Sequence, residues 1–158
     1  MTRARGVAVA VQDVSGAAAV PSHAKLRNWA RSAAGSKRKG EITVRIVRVA
    51  ESAALNSEYR GKKGPTNVLS FPAAPARAVR GDLLPIGDVV ICASVVKREA
   101  REQGKKLDAH WAHMVVHGTL HLFGFDHEGR REAAVMEKRE RSLLAALGFS
   151  MKIGRAHV

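Results

Sequence analysis

The sequence predicts an α+β fold, with one small mixed β-sheet of about four strands, about five helices, and a metal site on a central helix and the turn after it. Three observations lead there. The chain has 158 residues, of which 46% are hydrophobic and 26% charged, enough to bury one core without covalent staples and too few for a second. Stretches of period-two alternation are interleaved with stretches of helical spacing from one end to the other. No repeat and no separable linker divides them, so a single domain over 1–158 is expected, with loose ends near 1–5 and 150–158.

Val7 to Val11 reads as the first strand, followed by a turn at Ser15 and Gly16. Pro21 to Ala34 reads as a helix with Leu26, Trp29 and Ala30 on one side. After the basic turn Gly35 to Gly40, Ile42, Val44 and Ile46 alternate with Thr43 and Arg45, the pattern of a half-buried strand. The alternation slips at Val47 to Val49, which implies either cover on both faces or a bulge near Val47. Ala50 to Tyr59 is a short helix ending in the basic loop Arg60-Gly61-Lys62-Lys63-Gly64-Pro65. Asn67 to Phe71 is a strand closed by Pro72, and Ala73 to Pro85 is an exposed loop by its Ala, Pro, Arg and Gly content. Ile86 to Cys92 is a strand and Ala93 to Gln103 a helix that Gly104 stops. Asp108 is placed to cap a helix reaching about Leu122, and Glu128 to Leu147 supplies the last helix before Gly148.

Cys92 is the single cysteine. No internal disulfide or thiolate cluster is therefore available, and its apolar flanks mark it as a buried small hydrophobe. Arg3 and Arg5 lead into no long apolar stretch, so neither a secretory signal nor a membrane span is expected and the cytoplasm follows by default. Lys and Arg total 27 against 14 Asp and Glu, a net charge of +13. Such a field gathers phosphate polyanions by releasing their counterions, which makes nucleic acid the leading partner. Aromatic residues are 4% of the chain, so phosphate contacts rather than base stacking must supply most of the attraction.

Five of the seven histidines fall between His110 and His127. On a helix His117 and His121 share a face and can reach one ion. Gly124 lets the chain leave the helix, and His127 can swing back as a third ligand. Three imidazoles with an open fourth position are the usual form of a catalytic zinc site. The rest of that helix, with Trp111, Met114, Val115, Val116, Leu120 and Leu122, is apolar, so unpartnered imidazoles on it would be costly to desolvate. His113 also lies four residues before His117. Three rings on successive turns span about 12 Å of helix axis, too far to converge on one ion, so His113 and His110 are assigned to outer, phosphate-facing or core positions.

The run His117-Gly118-Thr119-Leu120-His121-Leu122-Phe123-Gly124-Phe125-Asp126-His127 resembles the signature of the bacterial YbeY family of endoribonucleases and rRNA maturation factors. Leu55 to Lys62 with Pro65 to Pro72, and then Gly87-Asp88-Val89-Val90-Ile91, are similar to two further blocks of that family, in the same order, over roughly 41–148. The resemblance implies a metal-dependent endoribonuclease specific for single strands. It implies action on rRNA and the small ribosomal subunit, in 16S rRNA 3′-end processing and ribosome quality control. It carries metal ligation onto His117, His121 and His127 and the basic active-site residue onto Arg60. Lys63 departs from the family, which usually has an acidic residue there, and this bears on any local salt bridge of Arg60 or Lys62.

One zinc ion on the three histidines would lower the pKa of a bound water or polarise a phosphoryl oxygen, while Arg60 clamps the developing charge. Asp126, Asp88, Lys62 and His113 are the further candidates for orienting a ligand or facing the substrate. Two rivals remain. A zinc-stabilised RNA-binding assembly protein without catalysis would show a closed site. A zinc peptidase would need a carboxylate beside the first histidine, where this chain has Gly118.

Overall fold

The computed structural model describes residues 6–74, 84–124 and 129–149. The described residues form four strands, β1 (Ala8–Asp13), β2 (Glu41–Val47), β3 (Val68–Pro72) and β4 (Pro85–Cys92), and five helices. These are α1 (His23–Ala34), α2 (Val49–Arg60), α3 (Ala93–Gln103), α4 (Leu107–Leu122) and α5 (Arg130–Ala146). The sheet runs in the order β1-β2-β4-β3, with β1 and β4 parallel to β2 and β3 antiparallel to β4. It is the mixed α+β sheet that the alternating periods predict, and β3 forms one of its edges.

The slip at the end of β2 is resolved by cover on both faces. Ile42, Val44 and Ile46 are fully buried in the main core with α1 and α4. Val47 is equally buried, on the other face, with Leu69, Val90, Cys92 and Val95 beneath Leu55 of α2. The one register shift between β2 and β4 lies at Glu41/Ile42, so Val47 is not bulged, and Arg48 already caps α2.

Three helix starts need correction. α1 opens at His23 with Ser22 as its cap, Ser22 Oγ accepting from the Lys25 amide at 3.2 Å, so Pro21 stands before the helix. Asp108 does not cap α4, because the cap is Lys106; Asp108 sits in the first turn and binds Lys25 of α1 at 2.7 Å. A carboxylate there still favours the helix N-terminus through the backbone dipole. The last helix starts at Arg130 after Gly129, while Glu128, the expected start, lies outside the described residues. Of the loop expected over Ala73 to Pro85, residues 75–83 lie outside them as well.

Helix α4 packs against α1, α3, α5, β3 and β4, and eleven of its sixteen residues are buried. It is apolar around most of its circumference, as a helix enclosed on several sides must be. Close approach to the sheet depends on two glycines. A Cβ on Gly118 would stand 2.5 Å from Val89 Cγ1 and 2.9 Å from Val68 Cγ2, and Ser70 Oγ donates to the Gly118 carbonyl at 2.7 Å. A Cβ on Gly87 would stand 2.7 Å from Leu122 Cδ2. Among the described residues no helix is long and apolar enough to cross a membrane.

Candidate metal centre and cleft

The edge strand β3, the loop after α2 and the outer face of α4 enclose an open cleft of about 400 Å³. Arg60, Lys62, Lys63, Asn67, Ser70 and Pro72 line it together with His117 and His121. The basic loop is held from below by two buried side chains of α2. Ser52 Oγ donates to the Thr66 carbonyl and accepts from the Thr66 amide, both at 3.0 Å, and Asn56 Nδ2 donates to the Gly64 carbonyl at 2.9 Å. Gly61, at φ +65°, ends α2 with its amide on the Ser57 carbonyl at 3.1 Å. Left-handed backbone there turns the chain sharply after Arg60, which glycine does at least cost. The loop thus presents its cations to the cleft from a fixed base.

On the opposite wall His117 and His121 lie one helical turn apart with ring centroids at 4.8 Å. They share the face that their four-residue spacing predicts. Behind them stands a buried carboxylate. Glu140 of α5, 3% exposed, bonds Nδ1 of His117 through Oε1 and Nε2 of His113 through Oε2, the latter at 3.2 Å. Burial would raise its pKa, but hydrogen bonds from His113 and His117 prevail and hold it down to about 2. Burial pushes the His113 pKa below its ordinary value against the pull of Glu140, so His113 is favoured as a neutral donor to an ionised carboxylate. The ligand atoms of His113, His117 and Glu140 lie within 4.8 Å of one another, a His/His/Glu set capable of holding a metal ion and consistent with zinc.

A second carboxylate ties the core to the cleft wall. Glu99 of α3 accepts from His110 Nε2 at 2.9 Å and from Asn67 Nδ2 at 3.1 and 3.2 Å. Burial opposes its ionised form, and the bonds from His110 and Asn67 lower its pKa nonetheless. Asn67 Oδ1 in turn accepts from the Val68 amide at 2.6 Å, which fixes the amide at the start of β3. Lys105 Nζ, His110 Nδ1 and His113 Nδ1 are buried without a hydrogen-bond partner among the described residues. Burial pushes the Lys105 pKa down, with Glu99 and Glu140 pulling the other way.

The candidate residues therefore fall into three places. Arg60, Lys62, His117 and His121 meet at the cleft. His113 is 6% exposed and packs inside, on Glu140. Asp88 is exposed on β4 between Gly87 and Val89, on the face opposite the Val89 side chain that lies under Gly118, and its charge acts on Arg45. His127 and Asp126 lie outside the described residues. Glu140 and Glu99 are absent from the sequence-based candidates. For Glu140 a signal exists: Met136, Glu140 and Leu144 repeat at intervals of four and are all buried, so a carboxylate interrupts an apolar stripe. Such a residue needs a partner inside.

Gly118 is pressed on the sheet, against Val89 of β4 and Val68 and Ser70 of β3. A glutamate there, as a zinc peptidase of the His-Glu-x-x-His kind requires, would have to displace Val89 and Val68.

A model of the YbeY family, described as Endoribonuclease YbeY, matches residues 15–148. Endoribonuclease YbeY of Methylococcus capsulatus is 59% identical over 131 residues, covering 83% of this chain and 85% of that protein. The solution structure of TM1509 from Thermotoga maritima is similar over 94% of this chain and 99% of that one, at 22% identity and a TM-score of 0.49.

Proposed function

Since the chain belongs to the YbeY endoribonuclease family, we propose that it is a metal-dependent hydrolase that cleaves single-stranded RNA internally. Its proposed substrate is ribosomal RNA of the small subunit in the cytoplasm, in 16S rRNA 3′-end processing and quality control, with one zinc held by His117, His121 and His127. The observation that carries this is the cleft itself, where two imidazoles on α4 face a loop bearing Arg60, Lys62 and Lys63. The donor chemistry suits zinc, because His117 has the buried carboxylate behind it that metal-bound imidazoles commonly have.

Bound zinc supplies a water of lowered pKa and a Lewis acid for a phosphoryl oxygen. The chain's own residues do the rest. Lys62 and Lys63 gather the phosphate backbone, and their attraction weakens with salt as counterion release requires. Arg60, the last residue of α2, offers two parallel N–H donors to the phosphoryl oxygens as charge builds on them. Ser52 and Asn56 hold that loop in place, so little reorganisation is needed when the substrate arrives. Peptide cleavage lacks support: with glycine at 118 pressed on the sheet, the carboxylate that would protonate an amine leaving group is missing from that position.

A second reading rests on the inner His113, His117 and Glu140 set. Metal held there would be enclosed and structural, and the protein would be an RNA-binding assembly factor.

End-group analysis of a labelled oligoribonucleotide tests the enzymatic reading. Water attack leaves a 5′-phosphate and a 3′-hydroxyl, and these ends are expected, with no activity from His117→Ala. Cyclic 2′,3′-phosphate ends, together with no cleavage of a 2′-deoxy substrate, would overturn the hydrolytic route. Equal activity from His117→Ala would remove the site altogether.

A further inference from the structure

We propose that Glu140 is a positioning residue that holds His117 and His113 in opposite tautomers, so that His117 meets the cleft through Nε2 and His113 is kept out of the ligand set. The inference rests on the cleft reading above and adds to it how the first ligand is aimed.

An ionised carboxylate only accepts hydrogen bonds, so each ring nitrogen facing it must carry a proton. Glu140 Oε1 meets Nδ1 of His117, and Oε2 meets Nε2 of His113. An imidazole that ligates an ion is neutral and has one N–H, so with Nδ1 on Glu140 it is Nδ1 of His117 that carries the proton and Nε2 that is left for the ion. His113 is the reverse, with its basic Nδ1 buried. His117 lines the cleft while Glu140 is 3% exposed behind it, and with Nδ1 on Glu140 the other ring nitrogen lies on the far side of the ring from that carboxylate. A nitrogen that gives its proton to Glu140 has no lone pair for an ion at that same place. Metal within the inner triad would therefore displace both hydrogen bonds, whereas metal at the cleft retains them. A carboxylate also offers each ring an accepting oxygen of its own. Glutamine, of equal size, brings a donor of its own and satisfies both rings only if one of them changes tautomer.

The test combines tautomer and affinity on the full chain. Nitrogen-15 NMR of the histidine rings in metal-stripped wild type should show Nδ1–H for His117 and Nε2–H for His113. Glu140→Gln should convert one of the two and weaken zinc, measured by competition with a chelating dye, about 10- to 100-fold, while circular dichroism shows the fold retained. An Nε2–H tautomer at His117 in the wild type would overturn the proposal without any variant having to fold. Loss of zinc from Glu140→Gln and His113→Gln as complete as from His117→Ala would overturn it differently, by making Glu140 and His113 ligands. Unchanged tautomers and affinity in Glu140→Gln would leave Glu140 a purely structural group and sink the idea. Wild type that takes up no zinc would overturn the cleft reading and this inference together, but zinc uptake with reversed tautomers overturns this inference alone.

Discussion

The two halves of α4 carry the same residue type at nearly the same spacing and use it differently. His110 and His113, in the first half, are 0% and 6% exposed and end on the carboxylates of Glu99 and Glu140. His117 and His121, in the second half, stand on the wall of a cleft opposite three cations. Helical spacing alone does not separate the pairs. What separates them is the neighbour: α3 and α5 supply carboxylates to the first half, and the edge strand β3 with the loop after α2 leaves the second half open. His117 belongs to both regions, with Nδ1 on Glu140 and the ring on the cleft.

The largest effect should come from the residue at that junction. His117→Ala removes a proposed ligand and also strips Glu140 of one of its two donors. Zinc uptake and RNA cleavage should both fall, by roughly a hundredfold or more, since the proposed nucleophile depends on the metal. Zinc titration and a cleavage assay on the same preparation check it, and cleavage surviving without zinc would separate the cleft from the chemistry.

Next in size is the contact that sets α4 on the sheet. Gly118→Ala places a methyl 2.5 Å from Val89 Cγ1. Alanine would gain about 1 kcal/mol in helix propensity, but overpacking a filled core costs about 1 to 3 kcal/mol, so a net loss is expected. A urea unfolding curve reads it, and a stabilised variant would contradict the close approach. Gly118→Glu should fail to fold rather than become a peptidase.

The inner half should announce itself through pH. The folded pKa of Glu140, about 2, lies below its ordinary 4.5. The stability it lends is therefore complete above about pH 4.5 and lost as pH falls toward 2, in total on the order of 3 kcal/mol. His113 acts at higher pH and in the same direction. Its pKa is pushed below 6.5 by burial, so the unfolded chain takes up a proton that the folded chain resists, and stability begins to fall below about pH 6.5. Urea midpoints through this range should decline in wild type and decline less in His113→Gln above pH 4.5. Identical profiles would remove His113 from the acid response.

The smallest predicted effect belongs to the open wall. Arg60→Ala should flatten the slope of log affinity for single-stranded RNA against log salt by roughly 0.7, the share of one phosphate contact. A fluorescence titration at several salt concentrations measures it, and an unchanged slope would take Arg60 off the phosphate.

Much of this contrast was legible in the sequence, and the reasons it was not complete are physical. Period-two alternation at Ile42, Val44 and Ile46 and the apolar circumference of α4 are local signals, and both elements are where they point. The basic loop from Arg60 to Lys63 and the His117/His121 face were equally local, and the fold brings them together. The cover over Val47 depends on α2 packing on the far face, which spacing leaves open against a bulge. Asp108 reads as a cap because its type and place suit one, yet Lys25 of α1 competes for it across 83 positions of sequence. Glu140 is the clearest case. Its four-residue interval with Met136 and Leu144 marks it as buried, but only the packing of α5 on α4 says which histidines it meets.

The central claim is that the second half of α4 holds the metal and the first half holds the fold. Bound zinc per chain in His121→Ala and in His113→Gln tests it most directly, with both variants purified and dialysed in parallel. The account predicts that His121→Ala loses its zinc while His113→Gln, whose amide can still donate to Glu140, keeps close to one ion per chain. Zinc retained by His121→Ala and lost by His113→Gln would contradict it, and would place the ion in the core beside Glu140.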